Sequence, residues 1–263
     1  MKQYIVDAFA EEIFSGNPAA VLPCKKMPSS ELMLKIAIEN NYSETAFVVK
    51  KSPGHYDLKW FTPGGEVDLC GHATLATSFV LFNFYEKEIK EIHFNTLSGE
   101  LIVKKEEKGY TLNFPVGKTK PIPLTETIML ASANLAKEAY FDGEDMVVVI
   151  SSEEELKKFE PNSELISKLE GRGLILTAKS EDSKYDFVSR CFYPKLSVLE
   201  DPVTGSAHTY LTPIWEKKLG KKVMTAKQVS KRGGILTVHQ EGERVYITGN
   251  AQLFMEGTIP LDL

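Results

Sequence analysis

The sequence has few cysteines and no long apolar stretch, and both absences exclude classes of protein. Within its 263 residues the longest apolar runs, such as Met146–Ile150, are far shorter than the ~20 residues of a membrane-spanning helix. Three scattered cysteines do not make a disulfide framework. The N-terminal residues 1–14 show no apolar core followed by a cleavage site, so no signal peptide is expected. We therefore expect a cytoplasmic protein that crosses no membrane.

The sequence also lacks an excess of positive charge and the common nucleotide-binding motifs. It has 31 Lys+Arg against 36 Asp+Glu, a formal net charge of −5, whereas a nucleic-acid-binding protein shows a basic face. It contains no GxGxxG, no P-loop and no GxSxG sequence. Nucleic-acid binding, nucleotide binding and serine-hydrolase chemistry are therefore not expected. The length fits one large domain or two of roughly 100–150 residues.

Short sequence matches at a nearly constant offset indicate an internal duplication. Ser30–Leu32 recurs as Ser163–Leu165, 133 residues later, and Gly71–Ala73 aligns with Gly205–Ala207 at an offset of 134. Ordered matches near one offset favour an ancient duplication, and coincidence among common residues is the alternative. Two similar halves are therefore expected.

The hydrophobic pattern predicts strands and helices in the same order in each half. His72–Tyr85 is apolar nearly all round, and Ser206–Leu219 has the same place in the second half, so each is expected to be a helix buried within its half. A further helix is predicted near Glu126–Ala136, and residues 195–204 are expected to form a loop. The predicted fold is α+β, with a sheet curled around one central helix in each of two domains, 1–116 and 117–252.

Chemistry is expected where a glycine loop enters each central helix. The sequences LCGHATLAT and VTGSAHTYL place Gly71 and Gly205 at these entries. The first N–H groups of a helix have no intrahelical partner, and the helix dipole adds partial positive charge there. Two such entries facing one cleft between the halves would hold a small anion or a developing enolate. The alternative is a pair of tight turns packed by small residues.

Three polar side chains stand near these loops and are candidate catalytic groups. Glu44 precedes the apolar residues of SETAFV, and partial desolvation would raise its pKa toward the range that suits acid–base chemistry. His72 follows Gly71, and Asp201 lies four residues before Gly205. Taken singly, each also fits a structural role, as a solvated loop glutamate, an exposed histidine and a turn-forming aspartate.

Cys70 is a candidate thiolate because it directly precedes the predicted start of a helix, a position that lowers the pKa of a thiol. Its counterpart at the repeat offset is Thr204, so a symmetric pair of thiols is absent. Cys70 and His72 have the spacing of a metal-binding pair on a strand. No further Cys/His cluster accompanies them in the sequence, so no metal is expected.

Four ordered motifs, DAFAEEIFSGNPAAVL, SETAFV, WFTPGGEVDLCGHATLA and EDPVTGSAH, resemble the PhzF-like phenazine-biosynthesis family over essentially the whole chain. That family is related in fold to diaminopimelate epimerase and proline racemase. The resemblance implies two similar domains, each a strongly bent mixed sheet or barrel around a central helix, with the active site between them. It also implies that the last strand, residues 253–263, returns to the first domain, and that the protein is a homodimer.

The resemblance further implies an isomerase that uses no metal or organic cofactor. It makes Glu44 the catalytic acid–base, and it gives His72 and Asp201 the role of lining the site and orienting the substrate. Glu44 would take a proton from a small carboxylate-bearing substrate and return it elsewhere on the same face. Helix-terminal N–H groups would stabilise the negative charge that develops meanwhile.

The substrate-binding residues implied by the resemblance are Asn17 of SGNPAAV and the turns at Gly71, Gly205 and Ser206. Cys70 matches one of the two catalytic thiols of the epimerases, whereas a threonine replaces the other. This difference favours a single carboxylate over two-base epimerisation. Two alternatives stay open: an epimerase or racemase that depends on Cys70, and a small-molecule-binding protein without turnover.

Overall fold

The structure, a computed structural model, describes residues 1–141 and 143–261. Contacts divide the chain into two units: residues 1–114 together with the chain from Ile247 onward, and Pro115–Tyr246. Each unit is an α+β assembly of mixed strands and a few helices, as predicted.

The first unit consists of a sheet with two helices between its strands. Its strands are β1 (Lys2–Ala8), β2 (Asn17–Cys24), β3 (Glu44–Ser52), β4 (His55–Thr62), β5 (Gly65–Val67), β6 (Glu91–Thr96), β7 (Gly99–Glu106) and β8 (Gly109–Pro115). Its helices are α1 (Ser30–Asn40) and α2 (Gly71–Val80), and α2 continues as a π-helical turn over Leu81–Tyr85.

The second unit repeats this composition. Its strands are β9 (Lys120–Ile122), β10 (Ala136–Phe141), β11 (Met146–Ile150), β12 (Leu174–Lys179), β13 (Phe187–Tyr193), β14 (Val198–Asp201), β15 (Val223–Gln228) and β16 (Gly234–Glu241). Its helices are α3 (Glu126–Ala131), α4 (Glu153–Lys158), α5 (Ser163–Ser167) and α6 (Ala207–Leu219). The chain then runs through β17 (Arg244–Gly249) to β18 (Ala251–Thr258).

Strand pairings follow the same order and sense in both units. In the first, β1–β2 is antiparallel, β2–β3 parallel across α1, β3–β4 antiparallel, β4–β6 parallel across α2 and β6–β7 antiparallel. In the second, β10–β11 is antiparallel, β11–β12 parallel across α4 and α5, β12–β13 antiparallel, β13–β15 parallel across α6 and β15–β16 antiparallel. A repeated order of five pairings is what a duplication would produce.

The last strand lies in the first unit, because β18 pairs with the whole of β1, from Lys2 opposite Thr258 to Ala8 opposite Ala251. The C-terminal strand thus pairs within the first unit over residues 251–258. Residues 247–252, predicted to belong to the second domain, lie in the first unit. The reason is that β17 pairs with β8 and that β18 pairs with β1 from its first residue. Of the predicted returning segment, residues 262 and 263 lie outside the described residues.

Helix α2 is buried on almost every side, as predicted, since every residue except Phe79 is buried. Its polar side chains are compatible with burial because their hydroxyl groups donate to carbonyls one turn back. Thr74 donates to Cys70 O at 2.5 Å, Thr77 to Ala73 O at 2.7 Å and Ser78 to Thr74 O at 2.8 Å. The helix packs against β1, β2 and β3, so its N-terminus is held deep inside the first unit.

Two predicted elements differ from the structure. The helix expected near Glu126–Ala136 ends at Ala131, because Ala133 and Asn134 take positive φ angles of 52° and 62° and turn the chain into β10. Within the expected loop 195–204, residues Val198–Asp201 form β14, which pairs with β13. No helix in the described part of the chain is both long and apolar enough to cross a membrane.

The connection between β1 and β2 predicts a site-specific stability effect. Gly16 has φ +70°, and a Cβ atom there would stand 2.2 Å from the carbonyl oxygen of Ala8. Gly242 has φ +55°, but a Cβ atom there would meet nothing within 4 Å, so it is a matched control. Gly242→Ala should cost about 1 kcal/mol, the lower end of the left-handed strain of a non-glycine residue. Gly16→Ala should cost at least twice as much, because the clash adds to the strain.

Urea unfolding of both variants checks this expectation. Equal destabilisation by the two substitutions would show that the backbone around Gly16 moves freely, contrary to the packing described here.

Candidate active site

The first cluster of predicted site residues lies at one end of the parallel pair β2–β3. Asn17 is the first residue of β2 and Glu44 the first of β3, and the parallel register sets Glu44 opposite Ala19. His72 is the second residue of α2, whose N-terminus reaches the same end of the sheet. Parallel pairing and the buried helix thus bring together residues that are 55 positions apart in the sequence.

The side chains of this cluster form one connected polar network around His72. Glu44 Oε2 lies 3.0 Å from His72 Nε2, and Asn17 Nδ2 lies 3.3 Å from His72 Nδ1. Ser43 Oγ lies 3.4 Å from both Asn17 Oδ1 and His72 Nε2. Cys70 Sγ lies 3.5 Å from His72 Nδ1. The His72 ring is therefore contacted through both of its nitrogens.

Glu44 and His72 form a buried pair of opposite charge. Their side chains are 18% and 7% exposed. Burial alone would raise the pKa of Glu44, but the charge of His72 and the polar contacts with His72, Ser43 and Cys70 together outweigh burial and lower that pKa below its ordinary value. Burial would lower the pKa of His72, but the neighbouring Cys70 and Glu44 raise it well above its ordinary value. The expectation of a raised pKa for Glu44 is wrong, because it considered burial without the imidazole.

The oxygen of Glu44 that faces His72 is one of two buried carboxylate oxygens in the described part of the chain that lack a hydrogen-bond partner, the other being Glu216 Oε2. Oε2 is buried, yet no donor in the described part of the chain hydrogen-bonds it with good geometry. The 3.0 Å contact with His72 Nε2 is an attraction between opposite charges and not a well-aligned hydrogen bond. A lone pair on this oxygen is therefore available to accept a proton.

The thiol of Cys70 differs from the expectation as well. Cys70 is the N-cap residue of α2, a position expected to lower the pKa of a thiol. Burial, followed by the charge of Glu44, instead raises the pKa of Cys70 above its ordinary value of 9.0. At neutral pH the residue is therefore a thiol and not a thiolate.

Glu44, Cys70 and His72 each offer a ligating atom within 4.8 Å of the others. His72 contacts the sulfur through Nδ1 and the carboxylate through Nε2. A zinc ion needs all its ligand atoms about 2.0–2.3 Å from one point. In this structure the three groups instead contact one another, with Nδ1 3.5 Å from the sulfur and Nε2 3.0 Å from the carboxylate.

The second cluster lies in the second unit, on the turn that leads from β14 into α6. Asp201 ends β14, and its Oδ2 accepts a hydrogen bond from Thr204 Oγ1 at 2.5 Å. Gln228, fully buried at the end of β15, accepts from the Thr204 backbone N–H at 2.9 Å and donates to Asp201 O at 2.7 Å. One glutamine amide thus fixes both ends of the turn between Asp201 and Thr204.

His208 fixes the same turn from inside α6. Its Nδ1 donates to Thr204 O at 2.8 Å, and burial lowers its pKa to about 4, so the ring is neutral. Gly205 and Ser206 follow the turn, and Ser206 is the N-cap residue of α6 with no capping hydrogen bond from its own side chain. The hydroxyl of Ser206 is therefore not used to cap the helix.

The structure therefore gathers the predicted site residues into two groups. Asn17, Glu44, Cys70, Gly71 and His72 lie together in the first unit, and Asp201, Gly205 and Ser206 lie together in the second. That residues of both groups act on one substrate stays a prediction.

Three residues of these networks were not predicted from the sequence. Ser43 directly precedes Glu44 in the SET motif, so its position next to a candidate base could have predicted that it belongs to the site. His208 belongs to the quoted motif EDPVTGSAH, four residues after Thr204, which is one helical turn. No local sequence pattern identifies Gln228 as a site residue, because only the parallel pairing of β13 with β15 brings it to the turn.

The sequence matches the family described as Phenazine biosynthesis-like protein, PhzC-PhzF, over residues 6–257. A Pseudomonas aeruginosa protein named as an uncharacterized isomerase is 44% identical over 256 residues, which cover 97% of each chain. The crystal structure of a phenazine biosynthesis protein of the PhzF family from Enterococcus faecalis is 48% identical, covers 99% of each chain and has a TM-score of 0.94. A hydroxyproline epimerase from Agrobacterium vitis, 12% identical, shares the fold with a TM-score of 0.61 over 98% of this chain and 91% of that one.

The paired charges of Glu44 and His72 predict a pH-dependent signature. Because the pKa of His72 lies above its ordinary value of 6.5, the folded protein holds a proton there that the unfolded chain releases. This contribution to stability is complete below pH 6.5 and is lost as the pH rises through the raised pKa. In Glu44→Gln the attraction of the carboxylate is lost while burial and Cys70 remain, so the pKa of His72 should fall relative to the wild type.

NMR titration of the histidine ring protons measures this directly. His208, with its pKa of about 4, should show no titration between roughly pH 5 and 8 in either protein and is the internal control. A His72 titration that is identical in wild type and Glu44→Gln would contradict the paired charges.

Proposed function

Because the chain belongs to the phenazine biosynthesis-like family, PhzC-PhzF, we propose that it is an isomerase that moves a proton within a small carboxylate-bearing substrate through Glu44. An isomerase-type activity is supported by its relatives, which include a protein named as an isomerase at 44% identity. The glutamate mechanism, the class of substrate and the independence from a cofactor are our proposals.

The observation that carries the proposal is the state of Glu44. Its carboxylate is ionised, largely buried and next to His72, and Oε2 lacks a well-aligned hydrogen-bond donor among the described residues. A general base must be deprotonated before it acts and must have a free lone pair. A buried acceptor without a hydrogen bond is destabilising, so a role in proton transfer explains the state of this oxygen better than a purely structural ion pair does.

The proposed reaction is balanced without an added reagent. Glu44 accepts a proton from an activated C–H bond of the substrate, and the electron pair of that bond passes into an enolate. The protonated Glu44 then returns a proton to a different carbon, and the enolate collapses to the isomeric product. No electron leaves the substrate, and the carboxylate of Glu44 is restored.

The neighbours of Glu44 suit the charge changes in this cycle. As Glu44 becomes neutral, the positive charge of His72 is left to stabilise the negative charge that develops on the substrate. The N-terminus of α2 adds partial positive charge at the same end of the sheet, since Cys70 does not cap it with its side chain. These features favour an anionic substrate.

The first alternative, epimerisation by a Cys70 thiolate, has less support. Burial and the charge of Glu44 raise the pKa of Cys70, which opposes thiolate formation. The corresponding residue in the second unit is Thr204, whose hydroxyl is used to hold Asp201. A second basic thiol would therefore have to come from elsewhere in the chain.

A panel of small unsaturated carboxylates in D₂O tests the mechanism. NMR identifies the compound whose double bond moves, with or without deuterium incorporation, and the rate of this conversion is then compared among variants. Glu44→Gln keeps the shape of the side chain but removes the base, so the conversion rate should fall by about 100-fold or more, the usual scale of a lost general base. Cys70→Ala is the matched control within the same network, and it should keep most of the rate.

The opposite pattern, an active Glu44→Gln and an inactive Cys70→Ala, would support the epimerase instead. A compound that raises the unfolding temperature but is neither isomerised nor exchanged with deuterium would support a binding protein without turnover.

Asp201 is proposed to contribute to turnover more than to folding. Asp201→Asn keeps an oxygen that accepts the hydrogen bond from Thr204 Oγ1, and Gln228 still holds the backbone of the turn. The conversion rate should therefore fall by about 100-fold, the scale of a substrate held out of place, while the unfolding temperature changes little. Loss of folding in Asp201→Asn, with the conversion rate preserved in the folded fraction, would assign Asp201 a structural role.

A further inference from the structure

A second group of polar side chains lies on strands β4, β6 and β7 of the first unit. His55 and His93 are direct partners in the parallel pair β4–β6. On β7, Ile102 is the partner of His93 and Glu100 is the partner of Asn95. Because Glu100 is two residues from Ile102 on the same strand, it projects from the same face of the sheet as His93. The face is open, since His55 and Glu100 are exposed and His93 is partly exposed.

The geometry of this group is compact. The His55 and His93 rings are stacked, with centroids 4.7 Å apart and planes inclined by 24°. One ligating atom each from His55, His93 and Glu100 lies within 4.8 Å of the others. In contrast to the Glu44 cluster, this group lies on side chains that are exposed or partly exposed to solvent.

We propose that His55, His93 and Glu100 bind one divalent transition-metal ion, with Zn²⁺ the best match. Two imidazole nitrogens and one carboxylate oxygen are the ligand set of many three-residue zinc sites, in which water takes the fourth position. Imidazole ligands favour zinc, copper and nickel, whereas magnesium and calcium favour sites made of oxygen atoms alone.

Glu91 prepares His93 for this role. Its Oε1 lies 2.9 Å from His93 Nε2, and Glu100 Oε1 lies 3.1 Å from His93 Nδ1. When Nε2–H donates a hydrogen bond to Glu91, Nδ1 carries a lone pair that faces Glu100, and the metal ion would bind between them. A carboxylate that holds the far nitrogen of a ligating histidine fixes its tautomer and its orientation.

The strand framework keeps the donors in place. His93 N donates to Gly54 O at 2.8 Å, which links the backbones of β4 and β6 at the position of the two histidines. Glu91 is held in turn by Lys104 on β7, with an Nζ–Oε2 distance of 3.3 Å. The site is independent of the proposed isomerisation, because none of these residues belongs to the Glu44 or Asp201 clusters.

Isothermal titration of the full chain with Zn²⁺ tests the proposal, with Mg²⁺ as the comparison ion. Wild type should bind one Zn²⁺ and no Mg²⁺ at the same concentrations. His55→Ala and His93→Ala should each weaken binding by more than about tenfold, and Glu91→Gln by about tenfold, the lower end of the effect of a lost outer carboxylate. His239→Ala is the matched control, since His239 is a partly exposed histidine near Glu241 that stacks on Tyr246 rather than on a second histidine.

Two outcomes would overturn the proposal. One is the absence of Zn²⁺ binding to the folded wild type. The other is binding that His55→Ala leaves unchanged and Cys70→Ala abolishes, which would place the ion at the Glu44 cluster. The absorption spectrum with Co²⁺ separates these sites without relying on folding of the variants, because a cysteine ligand gives a thiolate-to-cobalt charge-transfer band that histidine and carboxylate ligands do not.

Discussion

The buried contact between Glu44 and His72 is the interaction on which the rest of the candidate site depends. Each charge would be costly to bury alone, and the attraction between them offsets part of that cost. The contact also sets the protonation states, since it keeps Glu44 ionised, favours a proton on His72 and adds to the burial that keeps the Cys70 thiol neutral. A change to either partner therefore alters the chemistry of all three groups.

Backbone geometry holds this pair in place. The parallel register of β2 and β3 fixes Glu44, and the burial of α2 fixes His72. The α2 residues from Thr74 to Ser78 are all buried, and their hydroxyl groups are satisfied within the helix. In the second unit Gln228 and His208 perform a similar task, because they hold the turn before α6 from two directions. In each unit, the entry to the central helix is fixed by hydrogen bonds rather than by packing alone.

Local patterns were sufficient to predict the central helices and the residues next to them. The apolar character of 72–85 and the glycine before it located α2 and its N-terminus, and SETAFV located Glu44 at the start of a strand. The direction of the pKa shift of Glu44 was not predictable, because it depends on His72, which lies 28 positions away and meets Glu44 only in the folded chain. The stacked pair His55 and His93 was missed for the same reason, since strand pairing alone brings these residues together.

The position of the transferred hydrogen tests the central claim most directly. The product that the wild-type enzyme forms from its active carboxylate in D₂O is isolated, and the deuterium is located by NMR. A single carboxylate that serves as both base and acid predicts a new hydrogen on a carbon other than the one deprotonated, with the double bond moved. Deuterium at the original carbon with inverted configuration would contradict this account and indicate two opposed bases.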